Sequence, residues 1–245
     1  MLLRSERAGH SADRIFHAAR REWRKRIRVR LAIFVVAMAP LALVIWLFSP
    51  HGAFLSGAWI GALFGMTLWV WDEPPPFIER WRQGRDGERA TAKQLRKLQR
   101  EGWSARHDLE DKYGNLDHVV VGPGGVFLLD SKNPWGTFAI EEGVLTCHHK
   151  TSPRSDYSLP KLPRALGAAA RAVEKRLKAE LGWIVDVRPV AVFWGDFPAG
   201  EASLGDVSVV RGDLLRDWLR RQPGRISPED QQAVQLAVAA LPAAS

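Results

Sequence analysis

The sequence predicts an α/β domain carried behind a transmembrane helical hairpin, and three observations point there. Residues 31–71 contain no Asp, Glu, Lys or Arg, and Ser49-Pro50-His51-Gly52 splits that run into apolar stretches at 31–48 and 53–71. Beyond them, a helix-patterned segment is followed by three short strand-like runs and a second amphipathic helix, the order expected of an α/β domain. A single cysteine in 245 residues excludes a disulfide framework and suits a reducing, cytosolic setting.

The net charge of +8 is unevenly spread, because residues 1–30 carry ten Arg or Lys against three acids. The stretches at 31–48 and 53–71 are apolar on every face and close to the roughly 20 residues a helix needs to cross the hydrocarbon. A buried core hairpin would be apolar on one face only, and a cleaved signal peptide would not follow thirty residues as highly charged as these. Trp46, Trp69 and Trp71 fall near span ends, where indoles favour the interface, and Pro40 should kink the first helix mildly. The loop between the spans has no Lys or Arg, whereas Arg80, Arg82 and Arg85 follow the second span. The positive-inside asymmetry places both termini in the cytoplasm of a two-span protein of the cell membrane. The basic stretch Arg20 to Arg30 then reads as a juxtamembrane segment held to anionic lipid, with nucleic acid as the other partner its charge would suit.

Pro74-Pro75-Pro76 begins a linker at 72–86, the soluble domain follows at 87–210, and two helices near 212–221 and 227–241 close the chain. The first soluble helix is expected at 87–100 with Asp86 as its N-cap. Glu88, Ala92, Leu95 and Gln99 share one of its faces. Arg89, Lys93, Arg96 and Arg100 form another, a stripe that suits solvent and equally a phosphate backbone. A strand is expected near 103–109 and a polar turn at 110–115. His118-Val119-Val120-Val121 and Val126-Phe127-Leu128-Leu129 flank Gly122-Pro123-Gly124-Gly125, which is strong turn chemistry and predicts a β-hairpin.

If Val121 pairs with Val126, Asp117 falls opposite Asp130, and alternation puts Lys132 on the same face. Two carboxylates and an ammonium converge. Such carboxylates repel unless a positive group lies between them, and Mg²⁺ suits oxygen donors with room for water and phosphate, with Mn²⁺ as its substitute. The plain alternative is an Asp130–Lys132 ion pair at a strand end. Glu88, in the first turn of its helix, is either a third metal-site carboxylate or an acid favoured by the helix dipole. Further on, 137–140 and 144–148 read as a second hairpin, 151–163 as a loop, 164–181 as a helix, and 187–194 and 207–210 as strands. Cys147-His148-His149 does not have zinc-ligand spacing, since strand neighbours face opposite ways.

Gly84-Arg85-Asp86-Gly87-Glu88, Leu116-Asp117-His118-Val119-Val120-Val121, and Gly125 to Asn133 with Gly136 together resemble the nuclease-related domain, NERD. This is a branch of the PD-(D/E)xK restriction-endonuclease-like superfamily, and the resemblance covers about residues 80–195. It implies an αβββαβ core, a divalent metal and phosphodiester hydrolysis. Carried across, Asp117 and Asp130 would be metal ligands, Lys132 the catalytic lysine and Glu88 the helix-borne acid. Leu116 stands where the superfamily has Pro, and Asp130 replaces the commoner Glu. The leading expectation is a membrane-anchored nuclease acting on DNA, with RNA as the other substrate. The alternatives are a non-catalytic module tethering nucleic acid or a protein partner at the membrane, and a purely structural domain docking a membrane partner.

Overall fold

The computed structural model describes residues 10–48, 51–72, 76–111, 114–149 and 156–243. The chain divides into a helical unit, Arg14–Trp81, and a globular unit, Arg82–Ser245, which also takes in Met1–Asp13.

In the helical unit the basic segment and the first apolar run form one helix, α1 (His10–Phe48), of 39 residues. No Gly or Pro interrupts it before Pro40. Arg and Lys are good helix formers, and Glu22 accepts from Arg26 Nε one turn away at 3.0 Å. The stretch Asp13–Phe48 is long and apolar enough to cross a membrane, with a mean hydropathy of 2.7 and none of that window buried in the protein. Helix α2 (Gly52–Asp72) follows, and Ser56 Oγ donates to the Ala42 carbonyl at 3.5 Å. The apolar part of α2 with described side chains, Gly52–Thr67, is shorter than a span. Helix α2 covers the second expected span, 53–71, with side chains described as far as Thr67. Its expected interfacial residues Trp69 and Trp71 lie in the last turns of α2, where the backbone alone is described, and Pro74 and Pro75 of the expected linker lie outside the described residues.

Helix α3 (Pro76–Leu98) corrects the expected start at residue 87. Proline at the first helical position has its φ already set, and Gly84 and Gly87 are carried within the helix instead of starting it. Asp86, expected as the N-cap, is thus an interior residue. The α-helix ends at Leu98, and a 3-10 turn over Gln99–Glu101 closes with Gly102 in the left-handed region.

Six strands form the main sheet in the order β1-β2-β3-β7-β9-β8. β1 (Ser104–Asp111), β2 (Gly114–Gly122) and β3 (Gly125–Lys132) run as an antiparallel meander. α4 (Leu162–Leu181) then crosses over so that β7 (Val187–Phe193) lies parallel to β3. β9 (Val207–Arg211) is parallel to β7, and β8 (Glu201–Leu204), a strand not expected from the sequence, pairs with it through a turn at Gly205. β4 (Thr137–Glu141), β5 (Val144–His148) and the short β6 (Tyr157–Ser158) make a separate three-stranded sheet. α5 (Leu215–Arg220) and α6 (Pro228–Ala240) follow, the latter capped by Ser227, whose side chain accepts from the Asp230 amide.

Both faces of the sheet are covered. On one, Val119, Val121, Val126 and Leu128 pack with Leu166, Ala170, Val173 and Leu177 of α4, Val234 and Val238 of α6, and Phe138 and Leu145 of the small sheet. On the other, Val120, Phe127 and Leu129 meet Leu95 and Leu98 of α3, Trp103, and Leu215 and Leu219 of α5. Strands buried on both faces read as continuous apolar runs, which is how the central hairpin reads.

The two glycines of α3 separate backbone freedom from close packing. A Cβ at Gly84 would meet nothing within 4 Å, whereas one at Gly87 would lie 2.8 Å from Asn133 Cβ. Gly84→Ala should therefore raise the urea midpoint, by up to about 1 kcal/mol of helix propensity. Gly87→Ala should lower it, because an overpacking cost of roughly 1–3 kcal/mol exceeds that gain. Equilibrium unfolding of the two variants beside the parent chain checks the opposite signs.

Candidate active site at the end of the central hairpin

The β2–β3 ladder has the expected register, with Val121 opposite Val126 and His118 opposite Leu129. It extends one pair further towards the turn, to Gly122 opposite Gly125, which leaves a two-residue loop. At the other end, one step beyond the last pair, Asp117 Oδ2 accepts from the Ser131 amide at 2.7 Å. This bond holds the carboxyl of β2 beside the strand that carries Asp130 and Lys132. Lys132 Nζ donates to Asp130 Oδ1 at 2.7 Å, with the Lys side chain 39 % exposed and the Asp 21 %.

Asp117, Asp130 and Lys132 open into a cavity of about 250 Å³ whose far wall is the first turns of α4, Leu162, Ala165 and Ala169. Asn115 also lines it. Glu88 is not among the lining residues; α3 packs on the opposite face, fastened by Thr91 Oγ1 to Ser131 Oγ at 2.8 Å and by Trp194 Nε1 donating to Thr91 Oγ1 at 2.8 Å. Glu88 nevertheless feels the group. Partial burial and the charges of Asp117 and Asp108 push its pKa up to about 8 against the pull of Lys132, and Asp130 adds to the rise. Asp117 is pushed up to about 7 by burial and Asp130, against Lys132 and the Ser131 amide. Burial by itself would lower the Lys132 pKa, but Asp130, Asp117 and Glu88 together hold it raised, so the side chain stays an ammonium.

Asp108 is the residue that the sequence reading missed. It is a buried carboxylate, 6 % exposed, in the left-handed region at φ 55, with Asn115 Nδ2 donating to its Oδ1 at 3.4 Å. The β1–β2 ladder pairs His107 with His118 and Leu109 with Leu116, and it skips the facing positions 108 and 117. Aspartate tolerates this conformation better than most side chains, at a cost of order 1–3 kcal/mol, and such strain tends to gather at functional sites. A register count across the 110–115 turn was the available signal, since it sets Asp108 opposite Asp117. Beside them His107 and His118 meet Nδ1 to Nδ1 at 2.7 Å. Burial drives both imidazoles towards the neutral form, His107 down to about 4 and His118 well below its ordinary value.

The basic candidates Arg89, Lys93, Arg96 and Arg100 are all exposed, although Arg100 leaves the α-helical stripe because it sits in the 3-10 turn. Cys147 is buried, while His148 is exposed between Asp156, which meets Nδ1 at 2.9 Å, and Glu141, which meets Nε2 at 2.9 Å.

Among the described residues no three of His, Cys, Asp and Glu are placed as a metal-holding group. The pair Asp117 and Asp130 suits a hard cation in another way. Both are oxygen donors at one mouth, and burial and the neighbouring Asp130 charge both push the Asp117 carboxyl up. Magnesium commonly takes one or two carboxylates and completes its shell with water and phosphate oxygens.

The raised acids set a pH dependence. A carboxyl whose pKa rises on folding contributes stability that is fully present below its unfolded pKa, 4.5 for Glu88, and is lost as pH rises through about 8. The lowered histidines act with the opposite sign between 6.5 and about 4, and they cancel when a variant and the parent are compared at one pH. Glu88→Gln should match the parent in urea near pH 5, and should exceed it near pH 8.5 by on the order of 2 kcal/mol after allowance for partial exposure. Equal midpoints at both pH values would remove the assigned burial of charge.

No curated protein and no solved structure matches the chain. Residues 83–194, from α3 to the residue after β7, match the family model of NERD, the nuclease-related domain, and this supports the family resemblance carried by the hairpin and its acidic residues.

Proposed function

We propose that this chain is a membrane-anchored, metal-dependent nuclease that hydrolyses phosphodiester bonds of DNA. The observation that carries the reading is the meeting of Asp117, Asp130 and Lys132 at one open cavity within the segment that matches the nuclease-related domain. Asp117 and Asp130 would hold Mg²⁺ or Mn²⁺. When bound, the cation would supply charge neutralisation at a non-bridging phosphate oxygen. Lys132, kept cationic by the carboxylates around it, would stabilise the negative charge that grows on the phosphate. Asp130 would orient that ammonium through their ion pair. Glu88, titrating near neutral pH, has the proton affinity of a general acid or base. Exposed Arg89, Lys93, Arg96 and Arg100 would add phosphate contacts that weaken with salt.

The anchor in this reading is a two-span hairpin, 31–48 and 53–71, with both termini cytoplasmic. It is supported by the one helix long enough to span, by the absence of charge over 31–71 and by the basic residues outside it. Anionic lipid would hold the Arg20 to Arg30 stretch. A second reading, a non-catalytic tether for nucleic acid or a protein partner, is favoured by the Lys132–Asp130 ion pair, which occupies the ammonium at 2.7 Å.

Cleavage of end-labelled linear DNA by the full chain in nanodiscs separates the two. With Mg²⁺ or Mn²⁺ the parent should cut and with EDTA it should not, while Lys132→Ala and Asp117→Asn, each checked as folded by circular dichroism, should lose roughly 10²-fold or more in rate. Salt-sensitive binding without metal-dependent cutting would establish the tether instead.

A further inference from the structure

Among the described residues of the globular unit three aromatic side chains are exposed, Trp135, Tyr157 and Trp183. Trp103, Trp194 and Trp218 pack into or against the apolar cluster beneath α3. Trp135 is 62 % exposed, more than any other aromatic of the globular unit among the described residues. It stands three residues after Lys132, so its Cα lies within about 11 Å of the lysine's.

The loop that presents it is fastened on both sides. The Lys132 carbonyl accepts from the Trp194 amide at 2.8 Å, and Asn133 Nδ2 donates to the Gln83 carbonyl at 3.2 Å. The Gly136 carbonyl accepts from the Asp196 amide at 3.3 Å, and the Asp196 carbonyl accepts from the Phe138 amide at 2.6 Å. Gly136 is wedged so tightly that a Cβ there would come 2.6 Å from Cys147 Sγ and 2.7 Å from the His148 carbonyl oxygen. An exposed indole on a stiff loop has little freedom to lose when something flat settles on it. Beside a group suited to phosphate, the flat partner is a nucleobase, and every base offers a π-face when it is unpaired.

We propose that Trp135 is a stacking platform for an unpaired base of a single-stranded nucleic acid, holding the strand so that a neighbouring phosphate reaches the Asp117, Asp130 and Lys132 cavity. The assignment rests on the nuclease-type reading and adds its substrate class, a single-stranded or frayed strand in preference to an intact duplex. In a duplex the bases are stacked on each other and offer no free face to the indole. The sugar-phosphate chemistry of DNA and RNA is shared here, and the indole does not distinguish them.

The test is fluorescence anisotropy with the full chain in nanodiscs, in EDTA so that no strand is cut. The probes are a labelled oligothymidylate, an oligouridylate of equal length and a duplex of equal length. Trp135→Ala should weaken both single strands roughly ten- to a hundredfold, the range of one lost base stack, and should change duplex binding by less than about twofold. Trp135→Phe should recover most of the loss, and the urea midpoints of both variants should match the parent. In the parent, an abasic position at the stacked nucleotide should weaken binding as the Ala variant does, and the two changes together should cost no more than either alone. Unchanged single-strand affinity in Trp135→Ala, or an equal loss for single strand and duplex, overturns the platform. If the parent cuts DNA with metal while the Ala variant keeps its single-strand affinity, the nuclease reading stands and stacking alone fails. If the parent binds nucleic acid in no form, both fall. Loss of binding to anionic vesicles in the Ala variant, with single-strand affinity intact, would assign the indole to lipid headgroups.

Discussion

The antiparallel ladder of β2 on β3 is the constraint from which the site follows. Apart from His118 and the Gly122–Gly125 pair, its members are Val, Leu and Phe side chains buried on both faces of the sheet, and a slip of one residue would turn each of them to the wrong layer. Because the apolar body cannot slip, the polar ends cannot either. Asp117 must come to rest beside Ser131, and Asp130 and Lys132 must share the face that looks to α4. The parallel partner β7 adds the stiffness of a central strand along the whole of β3.

What that ladder assembles is costly as a fold. Asp108, Asp117, Asp130 and Glu88 bring negative charge to one edge of an apolar sheet, and Lys132 is the one cation credited with lowering both raised acids. Asp108 adds a left-handed backbone, and His118 Nε2 is buried with no hydrogen-bond partner among the described residues. A chain selected for stability alone would replace such groups with apolar ones. Their concentration around one end of the β2–β3 ladder, while the remainder of both cores is ordinary aliphatic and aromatic packing, marks the candidate site.

The helix α3 couples the two faces. Thr91 bonds Ser131 from one side of β3 while Asp130 and Lys132 point to the other, so the helix is fastened to the strand that carries them through one buried hydroxyl pair. Gly87 allows the helix to close on Asn133, and Asn133 leads directly into the loop that displays Trp135. Gly87, expected to open the helix, is thus a packing position inside it. The distinction was invisible in sequence, since a glycine needed for close approach and a glycine needed for a turn are the same letter.

Local pattern was enough for the hairpin register, the converging Asp117, Asp130 and Lys132, the Ser227 cap and the apolar helix near the N-terminus. Each depends on periodicity or on a short-range geometric rule, and these act within a few residues of chain. Tertiary structure alone decided the rest. It extended α3 back to Pro76, paired β8 with β9, set Glu88 outside the cavity it influences, twisted Asp108 into the group and left Trp135 exposed on a pinned loop. These features arise where segments distant in sequence meet, and burial, strain and proton affinity belong to the meeting and not to the residues taken singly.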